Sequence, residues 1–435
     1  MNGFNWLDSL VNHENRMPTK YAGEGGFSTE RYIHLLERLD NPQECGVPTI
    51  QILGTNGKGS TLAFLETLLV LAGRRVHSFI SPHLVHIEER FRDSGKSIET
   101  EILNDYLELL SETGSNLRGL TFFEALNAAF WLWTRDQKPD FALLETGLGG
   151  RLDTTTICHP TLKILTHLDR DHAKLLGPTM DRIAEEKCVA LPPDVPAVIG
   201  SQSEYLQEDI SSYLKKSGVP AFWTDGEIRK EITDRSRRGW RVRAGRTKDE
   251  AKEFGLGLLG DHQVENFSNA LLAFTLLGVG LPDQTEPISV HPEWRGRCEI
   301  LEASDGTSWV IDGSHTAVAG QALKKVLDEV FPEGKARRFN LVSSADRNPW
   351  CYLRGLVRRE DSIRLVEWKH PRVWGANDLR ETLIADGWAT FNMPELEVVK
   401  ANVVFERKDP TDVVEIICGS LYWAGEGIRR LEPFT

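Results

Sequence analysis

Residues 52–61 read ILGTNGKGST. Three glycines, Gly54, Gly57 and Gly59, flank one lysine, Lys58, and a hydroxyl, Ser60. A loop of small residues leading from a buried strand into a helix aims several backbone N–H groups at one point. The helix N-terminus adds partial positive charge there, and Lys58 adds a full one. Ser60, at the start of that helix, has the oxygen to hold a magnesium ion bridging two phosphates. The chemistry so assembled is phosphate binding and phosphoryl transfer. The strict pattern is not met, because Ile52 stands where a glycine would precede the Gly-Lys pair by five residues. The bland alternative is a glycine-rich turn with an exposed lysine. The order strand, loop, lysine, hydroxyl, helix favours the phosphate reading.

A magnesium–nucleotide site also wants carboxylate or imidazole groups at the ends of neighbouring strands. Glu145 ends the apolar run DFALLE, and Asp171 and His172 follow the run TLKILTHL. Alone, a strand-end glutamate is commonly just solvated, and a single histidine is more often structural. Together with the loop they form a candidate set.

These residues need elements to carry them. VPTIQIL (47–53) predicts a strand, TLAFLETLLVLAG (61–73) a helix and RVHSFIS (75–81) a second strand, giving a βαβ unit. FFEALNAAFWLWTRD (122–136) predicts a helix with Thr121 as N-cap and Glu124 closing a capping box. Strands are expected at 140–146, 161–168 and 195–200, with a helix at 180–191. The alternation implies a mostly parallel sheet covered on both faces. The charged stretch 226–254 is expected to be a solvated excursion with hairpin character. A long helix is expected over 260–280. Residues 281–294 hold three prolines and few apolar side chains, which marks a domain boundary. Beyond it, strand-like runs at 308–313, 338–343, 362–368 and 413–419 predict a second, smaller α/β domain. The division expected is 1–290 and 291–435.

Composition sets the outer limits. The 435 residues suffice for two or three cores, and 40% hydrophobic with 26% charged residues is ordinary for a globular chain. A net charge of -13 argues against general attraction to nucleic acid or an anionic membrane surface. The polar N-terminus lacks an apolar signal core, and no run is long enough to span a membrane. Six scattered cysteines without a Cys-x-x-Cys pair fit reduced thiols in the cytoplasm.

GTNGKGS, SPHL (81–84), TFFEAL (121–126), LETGLGGRLDTT (144–155), DHAKLLGPTMDRIAEEK (171–187) and GDHQVEN (260–266) follow one another in order. GRCEIL (296–301), DGSH (312–315) and GSLY (419–422) complete the series. From about residue 5 to residue 430 the chain resembles the folylpolyglutamate synthase/dihydrofolate synthase family of the Mur ligase superfamily. The resemblance implies a P-loop ATPase domain with a mostly parallel sheet and a smaller Rossmann-like C-terminal domain. It implies a ligase that uses ATP and magnesium to join a carboxylic acid, most simply dihydropteroate or a folate, to glutamate through an acyl phosphate. Small-molecule acid and amino-acid substrates and a monomer are implied, with no nucleic acid or membrane partner.

By the same resemblance, Asn56, Gly57, Lys58, Gly59 and Ser60 wrap the phosphates, with Lys58 at the γ-phosphate. Ser60 and Glu145 hold one magnesium. His172 and a CO2-derived carbamate on Lys187 hold a second. Lys58, Glu145, His172 and Lys187 make up the catalytic set. Asn266, Arg297 and Asp312 hold the nucleotide, with His315 facing the same cleft. The acid is expected near Ser81, Pro82, His83, Thr121, Phe122, Phe123, Glu124, Leu152, Asp153 and Thr154. Phe122 and Phe123 could stack on a flat ring, though core positions on a helix suit them at least as well.

The chain departs from the family in places. Asp-Gly-Ala-His-Asn-Pro becomes DGSHTA, with Thr316 and Ala317 in the last two positions. Gly-Leu-Asp-His becomes Asp169-Arg170-Asp171-His172, and Lys-Ala-Gly becomes Lys187-Cys188-Val189. Two further readings therefore stand beside the folate ligase: the same chemistry on another acid or amino acid, and a catalytically silent nucleotide-binding relative.

Overall fold

The computed structural model describes residues 2–14, 28–114, 119–169, 179–282, 287–331, 334–345, 347–391, 393–406 and 413–432. The first sheet has eight strands: β1 (Thr49–Leu53), β2 (Val76–Phe79), β3 (Phe91–Asp93), β4 (Lys96–Ser97), β5 (Phe141–Glu145), β6 (Leu162–Leu165), β7 (Ala197–Ile199) and β8 (Ala221–Trp223). Their order is β4-β3-β2-β5-β1-β6-β7-β8. β1 is central and pairs in parallel with β5 on one side and β6 on the other. All five β1 residues are buried, as a parallel strand covered on both faces requires.

The helix Lys58–Leu71 lies on one face and packs on the helix Asp261–Leu276, where the rings of Phe64 and Phe267 meet edge to face at 5.6 Å. The helix Phe122–Gln137 covers the other face, with Phe130 5.4 Å from Phe79. Its capping box forms as the sequence predicts: Glu124 N–H donates to Thr121 Oγ1 at 3.2 Å, and Thr121 N–H to a Glu124 carboxylate oxygen at 2.8 Å.

The charged stretch 226–254 corrects the expectation of a solvated excursion. It contains β9 (Arg229–Ser236), β10 (Gly239–Gly245) and most of β11 (Lys252–Leu256), an antiparallel set that β12 (Ile288–Val290) extends in parallel. The hairpin character holds, but one face is core. In β10, Trp240, Val242 and Ala244 are buried, whereas Arg241 and Arg243 are exposed. Period-two alternation hides three core side chains among the arginines. Trp240 is fully buried, and the Arg235 guanidinium sits 4.9 Å over its ring. Trp240→Ala is expected to cost ~3–5 kcal/mol in chemical denaturation, as for a large aromatic truncated in a core. A loss below about 0.5 kcal/mol would mark the sheet as a surface appendage.

The chain passes to another sheet between residues 290 and 299. β13 (Glu299–Glu302), β14 (Ser308–Ile311), β15 (Ala336–Leu341), β16 (Ser362–Glu367), β17 (Leu396–Lys400) and β18 (Val413–Cys418) form a six-stranded sheet in the order β13-β14-β18-β15-β16-β17. Only the β13–β14 pair is antiparallel. The fold is mixed α/β with two mostly parallel sheets. No helix among the described residues is long and apolar enough to cross a membrane.

Candidate functional site

A cavity of about 570 Å3 lies between the carboxyl ends of the strands of the eight-stranded sheet and the loops of the six-stranded one. Strand carboxyl ends are where open α/β sheets bind ligands. Every residue from Thr55 to Ser60 lines it, as do Glu145, Asn266, Arg297, Asp312 and His315.

The glycine loop is held from behind. The backbone N–H groups of Thr55 and Asn56 both donate to the His167 carbonyl, at 3.0 and 3.1 Å. Gly57 adopts φ 86, and a Cβ there would fall 2.1 Å from Asn266 Oδ1. Only glycine fits that contact. Lys58, Gly59 and Ser60 open the helix, so their N–H groups have no partner within it. Lys58 Nζ donates to the Thr55 carbonyl at 3.3 Å. Asp169 replaces the family's glycine, and its carboxylate accepts from Asn56 Nδ2 at 3.2 Å, fastening the loop to the end of the β6 segment.

Glu145 lies at the end of β5 and is buried. Ser81 N–H donates to its Oε2 at 3.2 Å. Burial pushes its carboxyl above the ordinary range, opposed by the nearby charge of Lys58, by the Ser81 N–H, and by Arg297 and Arg90. The sign follows: ionised Glu145 is disfavoured in the fold, so stability is lost as pH rises through the ordinary value toward the raised one. Glu145→Gln is therefore expected to melt higher than the wild type at neutral pH, with the gap closing in acid. A lower melting temperature at neutral pH would contradict that origin.

A buried carboxylate and a serine hydroxyl lining one cavity have the hard oxygen chemistry of a magnesium site. Among the described residues no three His, Cys, Asp or Glu side chains converge as a metal set. Asp171 and His172 lie outside the described residues. Lys187, on the helix Met180–Cys188, is buried and reaches the same region. Its Nζ donates to the carbonyls of Gly54 at 2.8 Å and Gly149 at 3.1 Å, joining the phosphate loop to the loop after β5. Cys188 beside it is buried, and desolvation pushes its thiol up to about 12.

Across the cavity, Asp312 accepts two backbone N–H groups, from Cys298 at 2.8 Å and Ser314 at 2.9 Å. His315 Nδ1 is 3.2 Å from the Gly313 carbonyl. Thr316 caps the helix Ala317–Val330, its Oγ1 accepting from Ala319 N–H at 3.3 Å.

The residues expected near the acid divide into two groups. Ser81, Pro82, Thr121, Phe123, Glu124, Leu152, Asp153 and Thr154 line the cavity. Phe122 is buried in the core with the Arg90 guanidinium 5.5 Å over its ring. His83 accepts from Arg90 Nε at 2.9 Å, and burial with the Arg90 charge pushes it down to about 4. Neither is among the lining residues.

Several lining residues carried no signal in the sequence. Arg31 Nε donates to both Glu124 oxygens at 2.9 Å, and Arg90 pairs with Glu14 at 2.6 Å. Ser344, Arg347, Arg372 and Tyr422 come from loops of the six-stranded sheet and from the start of its last helix. Each is a lone polar residue brought in by topology, with no spacing pattern to reveal it.

The model of the Mur ligase middle domain matches residues 52–275, just over half of the chain. A dihydrofolate synthase/folylpolyglutamate synthase of Bacillus subtilis is 27% identical over 420 residues, spanning 92% of this chain and 94% of that one. A probable bifunctional folylpolyglutamate synthase/dihydropteroate synthase of Haloferax volcanii is 31% identical over 314 residues, 69% of this chain but 36% of its own length. The crystal structure of a folylpolyglutamate synthase from Thermotoga maritima superposes with a TM-score of 0.79 at 25% identity, over 98% of this chain and 95% of that one. By the family model, the relatives and the superposition together, the chain belongs to the folylpolyglutamate synthase/dihydrofolate synthase family of the Mur ligase superfamily, a family of ATP-dependent ligases.

Proposed function

We propose that this protein is an ATP- and magnesium-dependent ligase that joins a folate-type carboxylic acid to glutamate. The observation that carries the reading is the single cavity that brings Lys58, Ser60 and Glu145 together with Arg297, Asp312 and His315. Residues 1–290 supply the phosphate loop and the acid wall, and residues 291–435 close the cleft over the nucleotide.

Ser60 and Glu145 would hold a magnesium ion, whose charge would offset that of the phosphates. Lys58 and the first-turn N–H groups bind the γ-phosphoryl group. An oxygen of the acid's carboxylate attacks that phosphorus, the bond to ADP breaks, and an acyl phosphate forms. The neutral amine of glutamate then attacks the acyl carbon, phosphate leaves with the bonding pair, and the amine gives up a proton. Positioning and charge neutralisation supply most of the acceleration, and closure of the cleft keeps water from the acyl phosphate. Lys187 is assigned the carbamate role. A carbamate would keep one N–H, enough for one of the two carbonyls now bound, and would turn the side chain into an anionic oxygen donor for a second cation.

The acid lies along Phe123, Leu152 and Thr154. Thr154 Oγ1 is buried without a hydrogen-bond partner, which leaves it for a polar group of the acid. A second reading, the same reaction on a different acid, draws on the departures at Asp169, Thr316 and Ala317.

The test is phosphate release by purified protein with magnesium and ATP. Dihydropteroate, a reduced folate and no acid are compared, each with and without glutamate, and products are weighed by mass spectrometry. Release that requires both substrates, with a mass gain of one glutamyl unit, is expected. Nucleotide binding without release for any folate would favour the second reading.

A further inference from the structure

The third glycine of the loop has a neighbour that no phosphate role explains. A Cβ on Gly59 would lie 2.7 Å from Cζ2 and 3.4 Å from Cε2 of Trp294. Trp294 belongs to the stretch between β12 and β13, where the chain leaves one sheet for the other. Its indole is part-buried against the main core, and its six-membered edge rests on the first turn of the helix Lys58–Leu71.

The other side of the indole is held as well. The Arg92 guanidinium lies 5.3 Å over the ring. Arg92 Nε donates to Glu66 Oε2 at 3.0 Å, and Glu66 Oε1 accepts from Ser78 Oγ at 2.7 Å, all within the interior. Glu66 is seven residues after Gly59, two turns along the same helix and on the same side of it. The helix thus grips the indole twice, directly through Gly59 and indirectly through Glu66 and Arg92.

Immediately after Trp294 the chain is pinned to the opposite wall. The Gly296 carbonyl accepts from Gly313 N–H at 2.9 Å, and Cys298 N–H donates to Asp312 at 2.8 Å. Arg297 sits between these contacts and lines the cavity. Only Arg295 separates the anchor on the phosphate-loop helix from the start of that wall.

We propose that Trp294 is a positioning residue: its indole, seated against Gly59 and covered by Arg92, sets the distance between the phosphate loop and the wall carrying Arg297 and Asp312. Gly59 is then glycine to admit the indole, not to admit a phosphate. The proposal rests on the nucleotide-binding reading above.

A double-mutant cycle between Gly59→Ala and Trp294→Ala tests it, with Mg·ADP affinity measured by calorimetry and steady-state KM and kcat for ATP measured alongside. Each single change is expected to weaken Mg·ADP binding ~10-fold. Trp294→Phe should recover only the part of the loss that the Arg92 contact supplies. The double variant should be no worse than the poorer single one, because without the indole the added methyl meets only Glu145 Oε2, at an ordinary 3.4 Å contact. Additive losses would overturn the proposal, since Gly59 would then serve the phosphate by itself. So would Trp294→Ala binding as tightly as the wild type. Should Trp294→Ala fail to fold, Gly59→Ala with and without Trp294→Phe carries the same comparison, because phenylalanine lacks the indole edge that meets the methyl. A wild type that binds no Mg·ADP would overturn the nucleotide reading itself, and the control separates the two failures.

Discussion

Lys58→Ala is expected to lower ATP turnover at least ~100-fold, the scale of loss when one charge-stabilising donor is removed from a reacting centre. The folded state should barely change, because Lys58 Nζ makes one 3.3 Å contact to the Thr55 carbonyl and lines the cavity. Unfolding free energy should stay within about 0.5 kcal/mol of the wild type. Steady-state kinetics and a denaturation curve on the same preparation decide the matter. Turnover near that of the wild type would remove the phosphate cradle from the mechanism. Loss of activity together with loss of the fold would move Lys58 to a structural part.

Lys187→Ala should be equally inactive, but for a different reason and with a different remedy. As an ammonium, Lys187 bridges the carbonyls of Gly54 and Gly149. Its removal therefore takes away hydrogen bonds as well as the site for CO2, and a stability loss of ~1–3 kcal/mol is expected from the buried carbonyls left without a donor. The two roles separate by rescue. If the carbamate is what catalysis needs, acetate or formate added to the variant returns part of the activity and methylamine does not. If the bridge is what matters, methylamine is the better remedy. Activity equal to the wild type without any additive would dismiss both roles.

How far the sequence foretold this site depended on how local each feature is. The strand–glycine loop–helix turn was legible because strand, glycines, lysine and helix are consecutive, and their order states their geometry. Glu145 was legible because β5 neighbours β1 in the sheet and ends at the same level. The 226–254 stretch was misjudged because its charges outnumber its core residues. Alternation at Trp240, Val242 and Ala244 was the better guide, since burial in a two-faced strand follows parity and not average polarity. Phe122 and Phe123 looked alike, yet neighbouring positions on a helix point about 100° apart. One entered the core and the other the cavity. Arg31, Arg347, Arg372 and Trp294 could not be picked out in advance. Arg31, for example, meets Glu124 across 93 positions of chain, a separation no window of sequence spans.

The walls of the cavity are drawn from separate parts of the polypeptide. Residues 55–60 form one side, Thr121, Phe123, Glu124 and the loop after β5 another, Arg297, Asp312 and His315 stand across from them, and Ser344, Arg347, Arg372 and Tyr422 complete the lining. The lining thus comes from well-separated stretches of chain, so a substitution in one stretch leaves the side chains of the others unaltered in sequence. Such a layout is open to evolutionary tinkering: a lineage can trade one substrate for another by revising a single wall while the energy-coupling machinery is inherited unchanged.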